Sequence, residues 1–323
     1  MLPDQKPGHK HPVLPLLTQE SESAQRKMLA DLSTALPNEH IDLIENFNTQ
    51  QLAQVDVAIT ANPRSATFKQ LPKLKWVQSM WAGVDSMLKD AEINQFKLVR
   101  LTDPRLADAM AEAVLTWTLY LHRRIPEYAH LQRNRRWQLL SYKEAKERRV
   151  SILGLGELGE LSATRLANNG FKVSGWSRTA KTLAGIDCYA GPDGLAQMLK
   201  TTDILIVLLP LTAATRALVN QQTLALLPKQ SSLVNFARGA IVDTNDLLHA
   251  LDNGQLDHAV LDVFDTEPLP YASPLWHHER ITVLPHASAL TDSESAARIA
   301  ASHISTYRAT GELPATVDLL RGY

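Results

Sequence analysis

The sequence predicts an α/β fold made of two doubly wound parallel-sheet domains, one inserted into the other. Three observations carry this. Short apolar runs alternate with helix-compatible stretches along the chain, a second and clearer alternating series begins at Val150, and the last helical stretch is followed by a tail too short to fold alone. The length of 323 residues, 45% of them hydrophobic, suffices for about two cores at roughly 150 residues each.

In the first series the apolar runs are Val13–Leu17, Val55–Thr60, Leu74–Met80 and Leu98–Leu101. Ala107 to Arg124 then reads as one long apolar helix, with Met110, Val114, Trp117 and Leu121 on one face. It leads into Arg133-Asn134-Arg135-Arg136-Trp137, which reads either as a solvated helical face or as an arm packing on a second subunit. From Val150 the runs Val150–Leu153, Lys172–Trp176, Ile204–Leu209, Ser232–Phe236, Ala259–Val263 and Ile281–Leu284 each read as buried parallel strands, six in all. A helix over about Ser293 to Thr310 follows, and the tail Pro314–Tyr323 has to return to something already built. The expected layout is therefore a discontinuous first domain, 1–102 and 290–323, interrupted by a second at 103–289.

Charge and composition narrow the function classes. Lys and Arg total 33 against 34 Asp and Glu, so no global positive field draws nucleic acid or anionic lipid. The longest apolar run, Ile204 to Leu211, contains Pro210 and falls far short of the ~20 residues a membrane-spanning helix needs. Asp4, Lys6, Pro7 and His9 precede only the brief patch Val13–Leu17, unlike the long apolar region of a secretory signal. Cys188 is the single cysteine, which excludes an internal disulfide framework and surrounds itself with no motif. No metal-ligand cluster is expected. The chain reads as a cytoplasmic small-molecule protein.

Val150-Ser151-Ile152-Leu153 runs straight into Gly154-Leu155-Gly156-Glu157-Leu158-Gly159, followed by a helix-compatible stretch to Asn169-Gly170 and a second strand. The G-x-G-x-x-G pattern alone is weak; between a strand and a helix it specifies a Rossmann-type dinucleotide turn. Gly154 permits the tight turn, Gly156 lets the backbone approach a pyrophosphate, and Gly159 lets the helix pack on the strand. Glu157 and Leu158 bring the helix amides to the phosphates. An acid about 20 residues on would hold the ribose of NAD. Here the second strand ends in Ser177-Arg178-Thr179 and no acid lies between Glu160 and Asp187, which suits NADP(H), with NAD(H) still possible.

Ligands of such sheets bind at the carboxyl ends of the strands. Reading those ends yields Ala237-Arg238-Gly239, Phe264-Asp265-Thr266-Glu267-Pro268 and Pro285-His286-Ala287. A cation to orient a carboxylate, an acid to protonate a developing alkoxide and a carboxylate to keep that acid charged are what hydride transfer to a keto acid requires.

With Leu209-Pro210-Leu211-Thr212, Val234-Asn235-Phe236-Ala237-Arg238-Gly239, Leu261-Asp262-Val263-Phe264, Glu267-Pro268-Leu269 and Pro285-His286, the chain resembles the D-isomer-specific 2-hydroxyacid dehydrogenase family. Ser273-Pro274-Leu275-Trp276 and the closing Arg321-Gly322-Tyr323 resemble its glyoxylate/hydroxypyruvate reductase branch. The resemblance implies a flavodoxin-like substrate domain around the inserted cofactor domain, a cleft between them for cofactor and substrate, and a homodimer. It implies that Arg238 binds the substrate, His286 is the general acid in reduction and Glu267 bonds His286; related formate enzymes carry glutamine in place of Glu267. Pro210, Thr215 and Ala237 would line the cofactor. Asp262 would contact the nicotinamide amide, although a strand-end carboxylate also caps turns. Trp81-Ala82-Gly83-Val84-Asp85 resembles the loop whose amides, here of Ala82 and Gly83, hold the substrate carboxylate, and Trp81 would either narrow the pocket toward short substrates or serve only interdomain packing. The expected activity is NADPH-dependent reduction of a small 2-keto acid to the 2-hydroxy acid. A broader D-2-hydroxyacid dehydrogenase and a nicotinamide-sensing binding protein of the corepressor type remain as alternatives.

Overall fold

A computed structural model of the chain describes residues 11–89, 92–319 and 321–322. Asp4, Lys6, Pro7, His9 and Tyr323, used in the readings above, lie outside the described residues. The chain divides into two compact units, one running up to Arg105 and resuming at Thr291, the other Leu106–Leu290.

The first unit is built on β1 (Leu14–Thr18), β2 (Ile41–Leu43), β3 (Val57–Ala61), β4 (Trp76–Ser79) and β5 (Lys97–Val99), all parallel in the order β2-β1-β3-β4-β5. Strand β2 was not expected: three half-buried residues at a sheet edge leave no apolar run in the sequence. The helix Ser293–Thr310 starts at an Asp292 cap, whose carboxylate accepts the Ser295 N–H at 2.8 Å, and stops at Gly311 with φ 76°. Its buried stripe Ala296, Ala297, Ala300 and Ala301 is small, so the helix lies close to the core formed by Leu14, Leu16, Met28, Leu32 and Trp76. The tail returns to the sheet, Val317 N–H donating to Leu98 O at 2.7 Å.

The second unit has seven parallel strands, one more than expected. They are β6 (Arg149–Leu153), β7 (Lys172–Ser177), β8 (Asp187–Ala190), β9 (Ile204–Val207), β10 (Ser231–Asn235), β11 (Leu256–Leu261) and β12 (Ile281–Val283), in the order β12-β11-β10-β9-β6-β7-β8. The unanticipated β8 is a partly exposed edge of sequence Asp-Cys-Tyr-Ala, and a strand with no fully buried residue writes no apolar run. Between β7 and β9, β6 marks the point where the winding reverses, the usual ligand-binding position of an open parallel sheet.

The long apolar helix begins three residues earlier than the sequence suggests, at Pro104, and runs to His122. It buries Met110, Val114 and Leu121 in one core with Val150, Ile152 and Ile206. The following helix, Ile125–Arg133, ends where the basic run begins, so the helical-face reading of residues 133–137 does not hold beyond Arg133. Trp137 and Leu139 lie on irregular chain with 105% and 91% of their surface exposed, where an apolar side chain has nothing to pack against.

Candidate functional site

The glycine turn leaves β6 and enters the helix Glu157–Asn168. Its three glycines stand in different surroundings. Gly154 has φ 108°, and a Cβ there would lie 2.9 Å from Leu208 backbone atoms. At Gly159 a Cβ would meet Gly154 O, at 1.8 Å. Nothing in the chain lies within 4 Å of a Cβ placed on Gly156. The fold itself thus has no need of glycine at 156, and the open space beside it is what an approaching phosphate needs. The Glu157 and Leu158 amides donate to no acceptor among the described residues, so the helix start offers free donors at its positive end.

Gly154 N–H donates to Trp176 O at 2.8 Å, which draws the end of β7 beside the turn. There Ser177 is buried, its hydroxyl donating to Thr179 O at 2.7 Å, while Arg178 and Thr179 are exposed. Lys181, overlooked in the sequence, folds back over the turn: its Nζ donates to Leu155 O at 2.5 Å and pairs with Glu160. The signal available was a second cation three residues after Arg178, but its reach of 26 residues back to Leu155 is tertiary. On the other side of β6, Thr215 is largely spent internally, its hydroxyl donating to Pro210 O at 2.6 Å and accepting from Thr212 N–H at 2.8 Å.

The remaining candidates stand on the next three strand ends. Past β10, buried Asn235 accepts the Ala237 N–H at 3.2 Å and donates to Arg238 O at 3.0 Å, fixing the backbone that carries Arg238. Sequence reasoning passed over Asn235. Arg238 is half-buried, with Nη1 donating to Ala237 O at 2.6 Å. Gly239 packs directly on the turn after β11: a Cβ would lie 2.1 Å from Phe264 C and 2.3 Å from Asp265 N. In that turn Glu267 Oε1 accepts the Phe264 N–H at 2.9 Å, and Oε2 lies 2.7 Å from His286 Nδ1. A carboxylate partner assigns the Nδ1 proton and leaves His286 Nε2 as the exposed ring nitrogen.

His286 adopts φ 54°, a left-handed conformation that costs a non-glycine residue of order 1 kcal/mol or more. The compensation is Asp262, 2% exposed, whose two oxygens accept the Ala287 N–H at 2.7 Å and the Ser288 N–H at 3.0 Å. These bonds are those of a turn cap, the other reading weighed for this residue. In the first unit Trp81, Ala82 and Gly83 follow β4, with Gly83 exposed and Trp81 half-buried. Among the described residues no group of three or more His, Cys, Asp or Glu could hold a metal ion, and no helix is long and apolar enough to cross a membrane.

Residues 115–288 match the model of the D-isomer specific 2-hydroxyacid dehydrogenase NAD-binding domain. A glyoxylate/hydroxypyruvate reductase A of Serratia proteamaculans is 37% identical over 302 residues, covering 91% of this chain and 95% of that protein. One from Klebsiella pneumoniae is 39% identical over 256 residues, covering 77% and 82%. Among solved structures, a D-isomer specific 2-hydroxyacid dehydrogenase from Xanthobacter autotrophicus Py2 in complex with NADPH and MES matches with a TM-score of 0.90 and 34% identity over 96% of this chain and all of that one. An NADPH-dependent glyoxylate/hydroxypyruvate reductase from Sinorhizobium meliloti, in complex with NADP and sulfate, matches with a TM-score of 0.86 and 33% identity, covering 97% and 100%.

Proposed function

The chain belongs to the D-isomer specific 2-hydroxyacid dehydrogenase family, and on that premise we propose that it reduces glyoxylate or hydroxypyruvate to the 2-hydroxy acid with NADPH. One observation carries the reading: the 2.7 Å pair of Glu267 and His286 leaves Nε2, the donor of the doubly protonated ring, open at the same carboxyl end of the parallel sheet as the glycine turn.

The residues present fit the cofactor. Open space at Gly156 and the free amides of Glu157 and Leu158 suit its pyrophosphate, and Arg178, with Lys181 nearby, suits a 2′-phosphate. Ser177, Thr179, Pro210, Thr215 and Ala237 line its course, and the unused lone pairs of Asp262 accept from the carboxamide. When bound, the nicotinamide supplies the hydride. Arg238 orients the keto acid and stabilises charge growing on the carbonyl oxygen, the amides of Ala82 and Gly83 hold the carboxylate, and Trp81 limits side-chain size. His286 delivers the Nε2 proton to that oxygen, and Glu267 holds the ring through Nδ1 for that transfer.

A homodimer completes the proposal, with the exposed Trp137 and Leu139 covered by a second copy. A cytoplasmic location goes with it, the lone Cys188 being at home in a reducing compartment. Initial rates with glyoxylate, hydroxypyruvate, pyruvate and phenylpyruvate, each with NADPH and NADH, test the activity; tight NADPH binding without turnover on all four would overturn it. Light scattering tests the assembly, a monomer at working concentration being the contrary result.

A further inference from the structure

We infer that Ser79 is a positioning residue that aims the Ala82 amide, a donor on which the proposed carboxylate site depends. Ser79 closes β4 and is 1% exposed. Its hydroxyl oxygen sits 3.0 Å from Trp81 N and 3.0 Å from Trp81 O, so the one group accepts from that amide and donates to that carbonyl. Trp81 O also accepts the Leu101 N–H at 3.1 Å. Two donors therefore hold the Trp81 carbonyl toward Ser79 and Leu101.

The next step is covalent geometry. In a planar trans peptide the carbonyl of one residue and the N–H of the next point in opposite directions. With the Trp81 C=O held toward Ser79, the Ala82 N–H is directed away from it. Neither the Ala82 nor the Gly83 amide donates to any acceptor among the described residues. Free, oriented amides at a glycine-containing turn are what an anion takes up. The approach is anchored one residue earlier as well: buried Gln78 donates to Ser79 O at 2.9 Å and bonds His303 Nδ1 at 2.8 Å. Ser79 itself touches no substrate in this scheme; it acts through the peptide plane it holds.

The inference rests on the proposed reductase activity and on the carboxylate role of the loop, and the test separates the three. Ser79→Ala removes both bonds to Trp81, Ser79→Thr keeps the hydroxyl, and Ala82→Pro deletes the amide. With glyoxylate and NADPH, Ser79→Ala should raise KM about tenfold, equivalent to about 1.4 kcal/mol of lost anion binding. Its kcat should fall no more than about threefold, equivalent to roughly 0.7 kcal/mol. The Kd for NADPH, read by fluorescence titration, should stay at the wild-type value and show that the variant is folded. Ser79→Thr should restore most of the KM, and Ala82→Pro should raise it at least as far as Ser79→Ala. An unchanged KM in Ser79→Ala with a raised KM in Ala82→Pro overturns the role of Ser79 and leaves the loop assignment standing. An unchanged KM in both overturns both. A parallel loss of kcat, KM and NADPH affinity in Ser79→Ala reduces Ser79 to a packing residue.

Discussion

Glu267 bridges two turns: its Oε2 meets His286 Nδ1 at 2.7 Å while its Oε1 accepts the Phe264 N–H at 2.9 Å. One oxygen thus fixes the carboxylate to its own turn and the other holds the ring. A glutamine has the shape to keep one of these contacts but carries no charge to stabilise an imidazolium. His286→Ala should depress kcat by about 10²-fold or more, the range of general acid catalysis, and Glu267→Gln, which takes the charged partner from Nδ1, should depress it too, by less. NADPH affinity should change little in either. Steady-state rates with glyoxylate and NADPH check both, and a kcat unmoved by Glu267→Gln would make that residue purely structural.

The cations beside the glycine turn predict cofactor choice. Charge-assisted hydrogen bonds contribute about 1.5–3 kcal/mol each, so NADPH should be favoured over NADH by at least roughly tenfold in kcat/KM. Arg178→Asp should lower kcat/KM for NADPH and raise the NADH-to-NADPH ratio. Lys181→Met should act in the same direction with a smaller effect, because Glu160 already shares that charge. Turnover at saturating NADPH should move far less, as the 2′-phosphate is remote from the hydride. Steady-state kinetics with both cofactors decides it; wild type using the two equally would remove the NADP assignment.

The glycines of the turn separate folding from binding. Gly159→Ala forces a Cβ into Gly154 O, an overlap that backbone movement must relieve, and should lower the Tm along with cofactor affinity. Gly156→Val meets nothing in the chain at its Cβ, so its Tm should stay near wild type while NADPH affinity falls by about tenfold or more, equivalent to about 1.4 kcal/mol. Thermal melts and cofactor titration on the two variants give the comparison, and a Gly156→Val protein that binds NADPH normally would place the phosphates elsewhere.

Acid should weaken the second unit through His258. It is 6% exposed and bonded to Thr282 Oγ1 at 2.9 Å. Burial lowers its pKa from 6.5 to about 4, with His278 and Arg280 adding to the shift and Glu127 opposing it. A depressed histidine pKa means that the unfolded chain takes up a proton the folded chain refuses. Stability is therefore lost as pH falls from about 6.5 toward 4, at up to about 1.4 kcal/mol per pH unit. Denaturant melts at pH 7 and pH 5 should differ more in wild type than in His258→Gln, whose amide has no proton to gain. Equal differences would assign the acid lability to other groups.

The sequence reveals best what is local. The glycine turn, its flanking strand and helix, and the residues following β10, β11 and β12 are contiguous patterns, and they land at the carboxyl end of one parallel sheet. The helix expected over about Ser293 to Thr310 ends at those residues, where an aspartate caps its start and a glycine its finish. Strands β2 and β8 escaped because partly buried edges need no apolar run. Lys181 and Asn235 escaped for a different reason: their importance lies in which backbone atoms they reach, 26 residues back for Lys181 and only three ahead for Asn235. No spacing rule encodes either reach. Asp262 was visible as a strand-end acid, yet its grip on the amides after His286 depends on β12 lying beside β11.

Gly239 rests against the backbone of Phe264 and Asp265 with no room for a single methyl group between them. Neighbouring turns this close behave as one casting: a lengthened loop on either side would push Arg238 and Glu267 out of step together. Mutational drift is thereby channelled elsewhere. A lineage carrying this chain is free to explore new side chains around Trp81, which belongs to a different unit, while the geometry that joins Arg238 to Glu267 is inherited intact.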